Sequence, residues 1–239
     1  MDNQQGNLPY DLEQVIKPVA YTIGALLGDG SVKHHMSINS EGRMVETYAV
    51  VIANMDKECV DRVCGEINRF CSTQYDVVEY KNPSNTTMYR LALNSRDVYT
   101  FFHYFILDKM FLADEIFRSD KETKLNFLAG LFDTDGTITQ YSGYYRVGYA
   151  ARLKTLVEDV TRLMQKLGVK VGKIHEQVSG YGTTMYVIKP NIRSFVDAGC
   201  YFYIQRKADR LYEYLNTVGK TFRDYNARPL TKGHDIVQV

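Results

Sequence analysis

The sequence predicts a mixed α+β protein made of two pseudo-symmetric halves. Each half runs helix-strand-strand-helix-strand-strand-helix, with its strands antiparallel in a saddle. A nine-residue pattern occurs twice, as Thr22-Ile-Gly-Ala-Leu-Leu-Gly-Asp-Gly30 and Leu128-Ala-Gly-Leu-Phe-Asp-Thr-Asp-Gly136. Each copy reads as an apolar, small-residue helix that stops at an Asp-Gly, and self-similarity at long range signals duplicated structure. Behind each copy, alternation of period two gives way to helical spacing in the same order. With 239 residues, the chain can bury one large core or two small ones.

Taken in order, Pro18 suits the opening turn of the first motif helix. After Asp29, residues 31–39 place Val32, His34, Met36 and Ile38 on one side and Ser31, Lys33, His35, Ser37 and Asn39 on the other. That is a half-buried strand, and on its apolar side His34 reads as a core histidine. A turn at Glu41-Gly42-Arg43 leads to a second strand over 45–53. Residues 56–70 carry a helical stripe of Val60, Val63, Cys64 and Ile67. Strands over 74–81 and 87–93 flank Asn82-Pro83-Ser84-Asn85, and a helix over 96–107 closes the half. A short polar stretch, Arg118-Ser119-Asp120, divides residues 1–118 from 119–239. Ser119 with Glu122 forms a capping box for the second motif helix.

The second half repeats the order. Strands over 137–142 and 144–151 turn at Ser142-Gly143, and a helix over 154–167 ends at Gly168. Strands over 170–177 and 184–189 and helices over 191–197 and 206–216 follow. Glycine inside a helix costs about 1 kcal/mol relative to alanine. Gly24, Gly28 and Gly130, with Ala129, therefore indicate two helix backbones in close approach. That approach brings Asp29 and Asp135 side by side.

Composition narrows the class without naming a partner. Hydrophobic residues make up 45% and charged residues 24%, as in ordinary globular proteins. No apolar run approaches the 18 or so residues of a membrane span, so no membrane partner is expected. The polar N-terminus gives no secretory signal, so an intracellular protein of cytoplasm, nucleoid or organelle matrix is expected. Cys59, Cys64, Cys71 and Cys200 form no CxxC pair and read as reduced thiols rather than a zinc site. The net charge is +1, but residues 1–118 hold 11 Lys and Arg against 16 Asp and Glu, and the remainder 18 against 12. A polyanionic partner would need a local basic face.

Leu128–Gly136 is very similar to the signature of the LAGLIDADG homing endonucleases, and Thr22–Gly30 looks like its degenerate partner. The duplicated order of elements extends the resemblance over nearly the whole chain. The first copy departs at Thr22, Ile23, Ala25, Leu27 and Gly28, positions that touch packing more than chemistry. The resemblance implies the single-chain, two-motif form, a monomer acting as a pseudo-dimer. Its implied activity is site-specific cleavage of double-stranded DNA at a long asymmetric target, across the minor groove, leaving short 3′ overhangs.

Hydrolysis of a phosphodiester needs an activated water and a stabilised leaving oxygen, and Mg²⁺ is held by hard carboxylates, waters and phosphate oxygens. The resemblance therefore assigns Asp29 and Asp135 to two or three Mg²⁺ ions shared at the two-fold axis, with the carbonyls of Gly28 and Thr134 as further ligands. Asp133 has Leu27 as its counterpart, so a role needed in both halves does not rest on it. The family also points to one lysine per half that orients the attacking water or stabilises charge on phosphate: Lys109 in Leu107–Ile116 and Lys207 in Ile204–Leu211, with Arg152 a further candidate for orienting that water.

Recognition falls to the strands, which fit the major groove and its fuller donor and acceptor code. The candidates are Ser31, Lys33, His35, Ser37, Asn39, Glu46, Tyr48 and Arg90 in the first half. Thr137, Thr139, Tyr141, Tyr144, Arg146, Arg152, Lys173, His175 and Lys189 serve the second. Two other readings fit the same fold: a maturase that binds intron RNA, and a DNA-binding regulator that does not cut. A third, the endonuclease piece of an intein, is not expected, because no splicing nucleophile motif opens the chain.

Overall fold

The computed structural model describes residues 12–38, 40–141, 144–180 and 182–221. A short helix, α1 (Leu12–Ile16), and a 3-10 turn containing Pro18 lead into the first motif helix, α2 (Ala20–Asp29). Strands β1 (Gly30–Ile38) and β2 (Met44–Asn54), helix α3 (Lys57–Cys71), strands β3 (Val78–Lys81) and β4 (Thr87–Leu93), and helix α4 (Arg96–Ile106) follow. A 3-10 turn (Leu107–Lys109) and α5 (Asp114–Arg118) connect to the second motif helix, α6 (Lys121–Thr134). The order then repeats with β5 (Gly136–Tyr141), β6 (Tyr144–Ala151), α7 (Lys154–Lys166), β7 (His175–Val178), β8 (Thr184–Ile188), α8 (Ile192–Asp197) and α9 (Gln205–Thr221). Two antiparallel four-stranded sheets result, ordered β1-β2-β4-β3 and β5-β6-β8-β7.

The two motif helices make the most extensive pairing of any elements among the described residues. A Cβ on Gly24 would lie 2.0 Å from the Phe127 carbonyl oxygen, and one on Gly130 would lie 2.0 Å from that of Tyr21. Any larger residue would push the helices apart, so backbone meets backbone at both glycines. Around this pair Leu26, Leu27, Ile52, Phe127, Phe132 and Tyr149 are buried in one continuous core. The stripes of α3 and α7 (Val60, Val63 and Ile67; Leu156, Val160 and Leu163) close over it, each such side chain contributing about 1.5–3 kcal/mol of burial.

Several boundaries differ from the expectation, each for a local reason. β3 starts only at Val78 because the Asn68 side chain takes the Tyr75 backbone: Tyr75 N–H donates to Asn68 Oδ1 at 2.8 Å, and Asn68 Nδ2 donates to Tyr75 O at 2.9 Å. β7 starts only at His175, since Lys170 is tied to the start of α8 through Ser194 Oγ and Asn191 N–H. The helix α6 is capped by Asp120 rather than Ser119. Asp120 Oδ1 accepts Thr123 N–H at 2.7 Å, while the buried Ser119 hydroxyl donates to Ile116 O.

His34 is exposed and stacks on Tyr48 at 4.6 Å instead of sitting in the core. The β1–β2 hairpin outruns the helices behind it, leaving Met36, Ile38 and Met44 open. The turns at Asn39 and Ser142-Gly143 lie outside the described residues.

Candidate active site between two helix ends

Both motif helices run directly into a strand. A Cβ on Gly30 or Gly136 would come within 2.5 Å of the preceding helical turn, so the Asp-Gly step is a steric requirement of that corner. The corners bring Asp29 and Asp135 together: each lies close enough to Lys109 and Lys207 to feel their charge, and Asp29 raises the Asp135 carboxyl. Burial is the larger cause at Asp135, which is pushed up to about 6. Asp29 is open to solvent on one side. Crowding by protein on the other raises its carboxyl, against the pull of the Asn54 hydrogen bond and the two lysines.

Gly28 and Thr134 occupy matching positions and fit each other. The Thr134 hydroxyl fills the space where a Gly28 Cβ would sit, 2.0 Å away, and donates to the α6 backbone at Gly130 and Leu131. This explains glycine in the first copy.

The two lysines differ. Lys109, in a left-handed turn with Asp108, is half-buried and donates to the Gly28 carbonyl. That carbonyl, expected as a metal ligand, is thus engaged. Lys207 is only 5% exposed and donates to the carbonyls of Phe132, Asp133 and Gly136 at 2.9, 2.6 and 2.7 Å. An ammonium has three protons, so Lys207 is fully used in closing the end of α6. Burial lowers both ammonium groups, and the neighbouring carboxylates oppose the shift.

Asp133, which has no counterpart in the first copy, is tied into the fold. It accepts the Tyr21 hydroxyl at 2.8 Å and the backbone N–H groups of Tyr203 and Ile204 at 3.0 and 3.3 Å. Burial pushes it up to about 6. Beside it the Arg62 guanidinium lies between the rings of Tyr21 and Tyr203, at 3.9 and 4.5 Å, and donates to Glu66 and Asn126. Glu66 in turn accepts from the Thr22 N–H and hydroxyl, which accounts for Thr22 where the signature has leucine.

Sequence reasoning missed Asn54, whose amide donates to Asp29 Oδ2 at 2.7 Å. The signal was present: Asn54 continues the inward register of Val50 and Ile52. It also missed the buried Tyr149, whose hydroxyl has no hydrogen-bond partner among the described residues and feels the Asp135 charge.

Strand register sorts the recognition candidates, because directly paired residues share a face. Helices cover the face bearing Val50, Ile52 and Leu91 in the first sheet and Ile138, Val147 and Tyr149 in the second. Ser31, Lys33, His35, Ser37 and Arg90 lie on the opposite, open face of the first sheet. Thr137, Thr139, Arg146, His175 and the 72% exposed Tyr144 lie on that of the second, with Tyr141 in register opposite Tyr144.

Glu46 and Tyr48 do not belong there. They pair with Met36 and His34, so they share the helix side, where Tyr48 packs on Tyr99 of α4 and donates to Glu46. The turn after β1 places β2 in the phase opposite to the one assumed. Arg152, Lys173 and Lys189 lie just outside the strands, so no register assigns them a face.

Residues 122–220 match the family model of a LAGLIDADG-like domain. The second half is thus similar to a LAGLIDADG-like domain, and the described chain takes the fold of LAGLIDADG homing endonucleases. A structure of mesophilic variants of the homing endonuclease I-DmoI superposes with a TM-score of 0.56 and 20% identity, covering 77% of this chain and 93% of that one. I-DmoI in complex with DNA and Mn gives 0.56 and 21%, covering 77% and 94%. The LAGLIDADG homing endonuclease I-SmaMI bound to cleaved DNA gives 0.52 and 12%, covering 85% and 90%. No curated protein sequence matched. In this chain the helices that carry the two copies of the repeat are the paired α2 and α6, and each sheet leaves one face open.

Among the described residues no group of three or more His, Cys, Asp or Glu is placed to hold a metal ion. The donor set at the helix ends is two carboxylates. That fits Mg²⁺-like ions, which accept one or two carboxylates and complete their shell with water and phosphate oxygens. It does not fit an all-protein cage.

Proposed function

We propose that the protein is a site-specific endonuclease that cuts both strands of a long, asymmetric DNA duplex with divalent cations, Mg²⁺ by preference, held by Asp29 and Asp135. The observation that carries this reading is the meeting of two carboxylates at the ends of two glycine-packed helices, between two open saddles. The saddles lie along the major groove on either side, and the helix ends face the minor groove between two scissile phosphates. When bound, divalent cations supply Lewis acidity toward the phosphate and its attacking water.

The chain's own residues do the rest. Asp29 and Asp135 provide hard oxygen ligands, Asn54 aims Asp29, and Lys207 holds the corner that presents Asp135. Lys109, which has protons to spare after its bond to Gly28, supplies positive charge toward phosphate oxygens. Lys33, Arg90 and Arg146 on the saddles neutralise backbone phosphates, so a nearly neutral protein binds a polyanion locally. The chain works as a monomer inside the cell, its halves meeting near residue 118.

Selection from a randomised duplex library, followed by cleavage of the enriched site with Mg²⁺, tests this. Asp29→Asn or Asp135→Asn is expected to abolish double-strand cleavage while leaving duplex binding intact. Recovery of no enriched duplex, with tight binding to intron RNA instead, would overturn it in favour of a maturase.

A further inference from the structure

The two carboxylates are not held alike. Asn54 donates to Asp29, and its own Oδ1 accepts the Asp56 N–H at 2.8 Å. Asp56 precedes α3, and its side chain is only 14% exposed. Arg206 of α9 grips it from the other half with two parallel hydrogen bonds, Nε to Oδ1 at 2.7 Å and Nη2 to Oδ2 at 2.6 Å. A two-pronged guanidinium–carboxylate pair fixes orientation as well as distance. With Asp56 fixed, its N–H occupies the oxygen end of the Asn54 amide, and the NH₂ end must face Asp29. The opposite amide orientation would set oxygen against carboxylate.

The second half has no counterpart of this chain. Gly30 pairs with Ile52 and Gly136 with Tyr149, so Asn54 aligns with Ala151 and Asp56 with Leu153. The match of Lys207 with Lys109 sets Asp108 where Arg206 stands. None of these three can make the same bonds.

We propose that Arg206 is a positioning residue for Asp29, acting through Asp56 and Asn54. With one carboxylate nearer each strand, cleavage of the strand nearer Asp29 then depends on Arg206 more than cleavage of the other does. The proposal rests on the nuclease reading above.

The test uses the full-length protein and its selected duplex, with each strand labelled separately. Arg206→Gln is expected to slow nicking of one strand by about tenfold or more relative to the other, the usual scale for groups that orient metal-site ligands. Nicked duplex then accumulates, and Arg206→Lys restores part of the loss. In the metal-free, DNA-free protein, amide hydrogen exchange at Asp56 is expected to accelerate in Arg206→Gln.

Equal slowing of both strands, or an unchanged ratio with Asp56 still protected, would overturn the proposal. If Arg206→Gln fails to fold, Asp56→Asn keeps the backbone N–H but loosens its anchor, and the same shift in ratio is expected. Wild-type protein that cuts neither strand would overturn the nuclease reading and the proposal with it. Wild-type cleavage of both strands with no shift in the variants overturns the proposal alone.

Discussion

At the end of α2, Asp29 faces solvent under the Asn54 amide, and a half-buried Lys109 rests on the Gly28 carbonyl. At the end of α6, Asp135 is partly buried near a Tyr149 hydroxyl that has no hydrogen-bond partner among the described residues, and a buried Lys207 spends all its protons on backbone carbonyls. The backbone path is the same; the chemistry around it is not. Duplication copies the helix, the corner and the strand register, because packing two helices through Gly24 and Gly130 demands them. The groups around each carboxylate answer to different neighbours and have diverged.

Substitutions that treat the two ends as equivalent should expose the difference. The largest effect is expected at what they share. Gly24→Ala or Gly130→Ala forces a methyl against backbone and should cost about 3 kcal/mol or more in denaturant unfolding. Gly65→Ala on α3, where a Cβ meets nothing, should instead stabilise by about 0.5–1 kcal/mol. Next come the lysines. Lys207→Met leaves buried carbonyls unpaired and should cost about 2–3 kcal/mol, whereas Lys109→Met should cost under about 1 kcal/mol and chiefly slow cleavage. Equal losses from the two would end the distinction between them.

The paired corner gives a compensation test. Gly28→Ala should destabilise by about 1–2 kcal/mol, and adding Thr134→Ala, which empties the opposing space, should recover most of it.

The smallest effect is in pH. Asp135 titrates near 6 in the fold against about 3.9 unfolded, so its contribution to stability is full below about pH 4 and lost as pH rises through about 6. The metal-free protein should therefore lose a few degrees of Tm between acid and neutral pH, less so in Asp135→Asn. Cation binding runs the other way, since protons compete for the same oxygens, and cleavage should fall as pH drops through about 6.

Much of this is legible in the sequence. Periodicity placed the strands and helices to within a few residues, because burial on one face imposes it. The Asp-Gly repeat located the helix ends, because only glycine turns that corner. Side-chain capture of backbone was not legible: Asn68 shortens β3, and Asp120 displaces Ser119 as a cap, through choices between polar neighbours that look alike in sequence. The face of Glu46 and Tyr48 was not legible either, because alternation gives a phase only within one strand, and the turn sets the phase of the next. Lys207 was recognisable by position, but its burial depends on α6 lying over it.

The bonds that tie the halves together join residues far apart in the chain: Tyr21 to Asp133 across 112 positions, and Asp56 to Arg206 across 150. A ribosome adding about 5–20 residues each second needs on the order of ten seconds to supply Arg206 after Asp56. Through that interval the glycine face of α2 has no helix against it, and Arg62 has only one of the two rings between which it finally lies. The order of synthesis thus makes the first half wait for the second, and the nascent protein is most vulnerable to a wrong partner when it is half made.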